Sequence, residues 1–156
     1  MHHHLLLVGA SVRAAAYSAH RAGFCPLAID LFADEDLRRI ATARQARPYP
    51  DRIVSIARHM PPGAFLYCGA LENNRHLIQQ LSESRTLWGN PPSNLRHIRD
   101  PLKVADALRR AGLAFPDVKT SPDGLPRDGS WLVKPVSSAG GRLIDRRRRF
   151  RKRLVW

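Results

Sequence analysis

Short apolar runs alternate with helix-forming segments in the N-terminal half of the chain. Residues 5–8 are uninterrupted Leu and Val, which is typical of a strand buried on both faces of a parallel sheet. Residues 12–22 are rich in helix formers and end at Gly23, and residues 26–31 form a second apolar run. This order predicts a β-α-β unit, whose two strands are parallel.

The same alternation continues toward residue 90. Asp34 is placed to cap a helix over residues 35–44, and Asp51 to cap a short helix reaching residue 59. Residues 64–67 form another apolar run, and residues 75–82 carry their leucines and isoleucine on one helix face. We therefore predict an α/β fold with a Rossmann-like parallel sheet.

A boundary follows at the Gly-Asn-Pro-Pro sequence of residues 89–92. Beyond it, residues 95–99 and 101–111 are predicted to be helical, the second starting with proline and stopping at Gly112. A polar loop rich in Pro, Asp and Gly occupies residues 121–129.

The net charge of +13 is unevenly distributed, because residues 142–153 hold eight basic side chains against one acid. A basic face across the whole domain is therefore not indicated, and we expect no specific nucleic-acid binding. No apolar run has membrane-spanning length, so we expect no membrane association. Cys25 and Cys68 lack metal-ligand spacing and are interpreted as free thiols of a cytoplasmic protein.

Candidate chemistry concentrates in residues 131–144, which read WLVKPVSSAGGRLI. The first three residues favour a strand, and Pro135 restricts Lys134 to extended geometry at the strand end. The small residues that follow could place N–H groups and hydroxyls around phosphate oxygens, while the ammonium neutralises charge. The alternative interpretation is a β-hairpin with a Gly-Gly turn and one solvated lysine.

A second motif, Gly9-x-Ser11-x-Arg13, is a degraded relative of the dinucleotide fingerprint, with Asp30 near the position of a ribose-binding acid. Because two of the three glycines are missing, we prefer a tight turn in a Rossmann-like sheet over NAD binding.

Six stretches of the chain form a recognisable series: LLLVGASVRAAAYSAHRAG, AIDLFADEDL, FLYCGALEN, LWGNPP, RDPLKVADALRRAGLAFP and WLVKPVSSAGG. In this order they resemble the start of an ATP-grasp protein. The similarity is to a bacterial branch with an N-terminal pre-ATP-grasp domain, related to predicted carboxylate–amine ligases, biotin carboxylase and carbamoyl-phosphate synthase. It extends from residue 5 to residue 144.

The resemblance implies a pre-ATP-grasp domain over residues 5–92 and the start of an ATP-grasp small subdomain over residues 93–144. It implies ATP as ligand, Mg²⁺ as the family's metal, and an unknown small-molecule carboxylate as substrate. The ATP-binding residues that it implies are Lys134, Ser137, Ser138, Ala139, Gly140, Gly141 and Lys103. Of these, Lys103 is only loosely aligned with the family.

The family motif usually continues Gly-Gly-x-Gly-Ile, whereas Arg142 and Leu143 follow Gly141 here. The adenine-binding hinge and magnesium ligands of the family are expected further along, so we expect a truncated, catalytically incompetent fragment. We interpret residues 145–156 as a disordered arginine-rich tail arising from a reading-frame shift or premature end. A selected basic tail that binds polyanions is the competing interpretation.

Three classes of function follow: an ATP-dependent carboxylate–amine or carboxylate–thiol ligase fragment acting through acyl phosphate, a non-catalytic nucleotide-binding or interaction module, and a polyanion binder acting through the tail. The tail offers only Phe150 and Trp156 as aromatic side chains, which disfavours the third class.

Overall fold

The structure, a computed structural model, describes residues 3–126, 128–137, 139–140 and 144. The chain divides into two compact units, of which the first ends at Pro92 and the second begins at Ser93. The interpretation of residues 145–156 as a tail lies outside the described residues. No helix of the described part has the length and apolarity needed to cross a membrane.

The first unit is built on a parallel sheet of order β3-β2-β1-β4. Its strands are β1 (His4–Gly9), β2 (Cys25–Asp30), β3 (Thr42–Gln45) and β4 (Ala64–Cys68). All three pairings are parallel. Leu87 adds an isolated parallel bridge to Phe65 on the outer side of β4. These observations confirm the predicted α/β fold.

Both faces of this sheet are covered by helices. The helices are α1 (Arg13–Arg21), α2 (Glu35–Ile40), α3 (Ile53–Ala57) and α4 (Arg75–Ser82). Leu5 and Leu7 pack in one core cluster with Ala16 and Ala19 of α1. Leu6 alternates to the opposite face and is fully buried, as are Ile53 of α3 and Ile78 of α4. The uninterrupted apolar run of β1 is therefore the consequence of burial on both faces.

The predicted helix over residues 35–44 is wrong in its second half. Asp34 caps α2 as expected, its Oδ1 accepting the Leu37 N–H at 3.0 Å, but α2 ends at Ile40. Thr42–Gln45 then pairs with β2 as an edge strand. Its Ala and Arg are good helix formers, but pairing with β2 overrides that local preference. The predicted Asp51 cap is also wrong, because α3 begins after Arg52 without a side-chain cap.

The buried Asp30 carboxylate, at the end of β2, joins two loops. One oxygen accepts the Val12 N–H at 2.7 Å, immediately before α1. The other accepts the N–H groups of Phe32 at 2.7 Å and Ala33 at 2.9 Å. These bonds hold Ala33 at a φ of 48°, in the left-handed region that costs a non-glycine residue about 1 kcal/mol. The carboxylate thus fixes the start of α1 and the turn into α2 together.

Arg85 likewise bonds several main-chain groups, in the segment that connects α3 to β4. Its Nη2 donates to the carbonyls of Ala57 at 2.9 Å and Met60 at 2.8 Å. Its Nη1 donates to the carbonyls of Pro61 at 2.9 Å and Gly63 at 3.4 Å. The guanidinium therefore links four main-chain carbonyls between the end of α3 and the start of β4.

The second unit starts with α5 (Pro92–Ile98), except for its first residue, and continues with α6 (Pro101–Arg110). Leu95 and Ala105 are their buried residues. Asp100 caps α6 by accepting the N–H groups of Leu102 at 3.0 Å and Lys103 at 3.3 Å.

The region around Lys134 in this unit is mostly irregular. Val133 and Pro135 each form an isolated β-bridge, so residues 131–133 do not form the extended strand that their composition favours. The predicted return strand at residues 143–144 lies largely outside the described residues.

We predict that Asp30→Asn destabilises the first unit by about 1.5–3 kcal/mol, the usual contribution of hydrogen bonds to a charged group. The amide NH₂ would face the Val12 N–H, so that a buried donor opposes another donor. Urea unfolding followed by circular dichroism measures the free energy of unfolding.

The matched control is Asp36→Asn. Among the described residues Asp36 forms ion pairs with Arg13 and Arg39, and all three side chains are more than half exposed. We expect its replacement to cost less than about 0.5 kcal/mol. Equal effects of the two substitutions would contradict the role of Asp30.

Candidate functional site

Lys134 lies on the wall of two cavities within the second unit. Its side chain is half-buried, and the neighbouring Val133 is buried and anchors this segment. Phe115 also lines both cavities. Lys134 and Phe115 therefore line both cavities, which differ in volume and in their other lining residues.

The larger cavity has a volume of about 580 Å³. Its wall consists of Phe115, Pro116, Asp117, Ser130, Trp131, Leu132 and Lys134. This volume is within the range of roughly 300–1,000 Å³ that is usual for small-molecule sites. Two aromatic side chains offer surfaces for a planar group, while the carboxylate and hydroxyl can accept hydrogen bonds.

The smaller cavity has a volume of about 280 Å³. Its wall consists of Ile98, Arg99, Pro101, Val104, Phe115, Lys134, Pro135 and Val136. Two cationic side chains face it, and the remaining lining residues are apolar. A space of this size holds a fragment of a ligand more readily than a whole nucleotide.

The predicted glycine-rich loop is described only in part. Ser137 is exposed, Ala139 is partly buried, and Gly140 has a φ of 62°, which glycine adopts without strain. Ser138 and Gly141 lie outside the described residues. The phosphate-binding role of this loop stays a prediction.

Lys103 is placed differently from Lys134. It lies in the first turn of α6, it is exposed, and its Nζ is 3.4 Å from His97 Nδ1. It is not among the lining residues of either cavity described above. The structure therefore brings Arg99, rather than Lys103, to a cavity shared with Lys134.

The residues of the degraded dinucleotide motif make hydrogen bonds and close contacts within the first unit. The Ala10 N–H donates to the Gly69 carbonyl at 3.2 Å, and the Val12 N–H donates to Asp30. A Cβ atom at Gly9 would lie 2.1 Å from the Cys68 carbonyl oxygen, so glycine is required there by the approach of β4. Loop N–H groups that would bind a pyrophosphate in a dinucleotide site are thus bonded to protein, in agreement with the tight-turn interpretation.

Two acidic side chains near this sheet edge influence its thiol and phenol groups. Burial, followed by the charges of Asp30 and Glu72, raises the pKa of Cys68 to about 11. Burial and the charges of Cys68, Glu72 and Asp30 raise the pKa of Tyr49 to about 12. Cys68 is therefore a protonated thiol at neutral pH, which does not suit a nucleophilic role.

No protein-family model and no curated protein sequence matches the chain. Solved structures do match it in fold. The biotin carboxylase domain of Hydrogenobacter thermophilus 2-oxoglutarate carboxylase, solved with MgADP, ADP and bicarbonate, matches with a TM-score of 0.62 at 19% identity. The match covers 90% of this chain and 36% of that one.

Two further structures show the same relationship. N5-carboxyaminoimidazole ribonucleotide synthetase from Thermotoga maritima has a TM-score of 0.63 at 15% identity, over 98% of this chain and 45% of that chain. An L-amino acid ligase from Bacillus licheniformis has a TM-score of 0.56 at 16% identity, over 87% and 38% respectively.

All three are ATP-grasp enzymes, and their N-terminal part matches this chain. The resemblance inferred from the sequence is therefore confirmed at the level of the fold. The chain spans less than half the length of each of these neighbours.

Sequence inspection missed several residues that line the cavities beside Lys134, among them Arg99, Phe115 and Asp117. Phe115 and Asp117 lie in the irregular segment after α6 and belong to no recognisable motif. Nothing in the local sequence distinguishes Arg99 from the other arginines of a chain that has 22 of them.

We predict that Cys68 alkylates slowly until alkaline pH. In a Cys25→Ser variant, the rate of reaction with iodoacetamide should rise with a midpoint near pH 11 in the folded protein. In urea the midpoint should fall to the ordinary thiol value of about 8.5. Mass spectrometry over a pH series measures both, and coincident midpoints would contradict the assignment.

The same pKa shift has a consequence for stability. Between the unfolded and folded pKa values the unfolded chain loses the thiol proton while the folded chain keeps it. The free energy of unfolding should therefore fall as pH rises from about 9 to about 11. Cys68→Ala should reduce that fall.

Proposed function

We propose that the chain forms the N-terminal part of an ATP-dependent ligase of the ATP-grasp type. In this proposal residues 5–92 are the pre-ATP-grasp domain, and residues 93–144 begin the ATP-grasp small subdomain. Lys134 contacts nucleotide phosphates, and Ser137, Ser138, Ala139, Gly140 and Gly141 form the loop over them. The observation that carries the proposal is the position of Lys134 on two adjoining cavities in a chain with this fold.

The chemistry of the cavities is compatible with a nucleotide. Phe115 and Trp131 provide aromatic faces for a base, and Asp117 and Ser130 provide acceptors for base amino or ribose hydroxyl groups. Lys134 lines both cavities, and its ammonium is of the kind that forms charge-assisted bonds to phosphate oxygens.

The reaction class implied by the resemblance joins a carboxylate to an amine or thiol. A carboxylate oxygen attacks the γ-phosphorus of ATP and ADP departs, which leaves an acyl phosphate. The amine or thiol then attacks the acyl carbon, and inorganic phosphate leaves. In our proposal the residues described here contribute nucleotide binding to this sequence.

The described part of the chain holds no cluster of metal-ligating side chains. None of its His, Cys, Asp and Glu side chains gather in a group of three or more that could hold a metal ion. We therefore derive no step through magnesium from these residues. The alternative candidate is a non-catalytic nucleotide-binding module, for which ATP binding occurs without ADP formation.

A cytoplasmic location is part of the proposal. Cys25 and Cys68 are both free thiols, which persist in reducing compartments.

We predict that Lys134→Ala weakens ATP binding by roughly 10- to 100-fold, or about 1.5–3 kcal/mol, because a charge-assisted phosphate contact is lost. Isothermal titration calorimetry of the full chain measures the dissociation constants. Lys119→Ala is the matched control, since Lys119 is an exposed lysine of the same unit. Unchanged affinity in Lys134→Ala would favour the β-hairpin with a solvated lysine.

A further inference from the structure

Strand β3 forms one edge of the sheet in the first unit. It pairs with β2 on one side, and among the described residues no strand pairs with its other side. The Ala46 N–H, directly after the strand, donates to the Asp30 carbonyl of β2 at 2.9 Å. Because main-chain groups alternate in direction along a strand, the N–H and C=O groups of Ala43 and Gln45 point away from β2. They form an open row of hydrogen-bonding groups at this edge.

The segment around this edge is basic. Residues 37–50 include four arginines and no acidic residue. Two of these arginines are bonded within the fold, since Arg38 donates to the Ala33 carbonyl and Arg39 forms an ion pair with Glu35 of α2. The positive charge that remains at the edge therefore comes from the other two.

Those two arginines are Arg44, within β3, and Arg47, shortly after it. Both side chains are exposed, and neither guanidinium forms an ion pair or a hydrogen bond in the part of the chain that the structure describes. Cations beside an open row of main-chain groups suit an extended chain of opposite charge, which adds to the sheet as a strand. A second copy of β3 would instead bring more arginines to the same edge, and like charges across a strand pair are unfavourable.

We propose that the free edge of β3 binds an extended acidic segment of another protein, which pairs antiparallel with β3 as an additional strand. Arg44 takes a non-hydrogen-bonded position in that pairing, because its own main-chain groups face β2. Side chains approach most closely at such positions, so an acidic residue opposite Arg44 lies beside the guanidinium. A second acidic residue, nearer the amino end of the segment, lies opposite Arg47. The inference does not depend on nucleotide binding.

The probe is a capped heptapeptide with glutamate at its first and fourth positions and valine or threonine elsewhere. Fluorescence anisotropy of the labelled peptide, titrated with the full chain at low salt, gives the dissociation constant. We expect Arg44→Gln to weaken binding by about 3- to 5-fold, the usual range for an exposed ion pair. Arg58→Gln is the matched control, since Arg58 is exposed in the first unit but lies outside the basic segment. Equal losses in both variants would indicate unspecific charge attraction and overturn the inference.

Main-chain pairing is tested by removing N–H groups from the peptide. Its third and fifth residues lie opposite Gln45 and Ala43, so N-methylation of both should weaken binding by about 10-fold or more. The N–H of its fourth residue points away from β3, and N-methylation there is the control with the smaller expected effect. Equal effects of the two modifications would contradict strand addition.

Hydrogen exchange covers the case in which Arg44→Gln does not fold. In the unsubstituted chain, saturating peptide should slow exchange of the Ala43 and Gln45 N–H groups by about 5-fold or more. The Arg44 N–H, which faces β2, should slow less. Nuclear magnetic resonance resolves the three amides, and unchanged exchange at Ala43 and Gln45 overturns the inference.

Two other results would assign this edge to a different occupant and also overturn the inference. The first is slower exchange at Ala43 and Gln45 when the protein is concentrated without peptide, which indicates a second copy of the chain. The second is binding of a single-stranded oligodeoxynucleotide that Arg44→Gln weakens, with no binding of the peptide, which indicates nucleic acid.

Discussion

The carboxylate of Asp30 is the interaction on which the first unit depends. It sits at the end of β2 and accepts three main-chain N–H groups, one before α1 and two in the turn toward α2. A neutral acceptor would make weaker bonds, and an apolar residue would leave three donors without partners. Because loop positions on both sides of β2 are fixed by one side chain, this edge of the sheet has little freedom to reshape around a ligand.

The main-chain N–H groups at this edge of the first unit are used to hold the fold together rather than to bind a ligand. The first β-α loop turns its N–H groups toward Gly69 and Asp30, and glycine at position 9 permits the close approach of β4. A Rossmann-like sheet is thus present without the open phosphate cradle that dinucleotide-binding members use. The two cavities that Lys134 lines occur in the second unit instead.

Sequence patterns predicted the parts of the molecule that local chemistry determines. The apolar runs at β1, β2 and β4 and the face of α4 followed directly from burial, and Asp34 was recognisable as a cap. β3 was not predictable in this way, because its residues favour helix and become a strand only by pairing with β2. Likewise, Lys134 stands out beside Pro135, whereas Arg99 reaches the same cavity through a junction between two helices that no short motif encodes.

Arg85 has a consequence for how this protein tolerates change. The chain has 22 arginines and 4 lysines. Arg85 instead distributes its two terminal nitrogens over four carbonyls that converge from different directions. A lysine ammonium is a single point with three donors and cannot span that set. Replacement of arginine by lysine should therefore be selected against at position 85, although it keeps the positive charge.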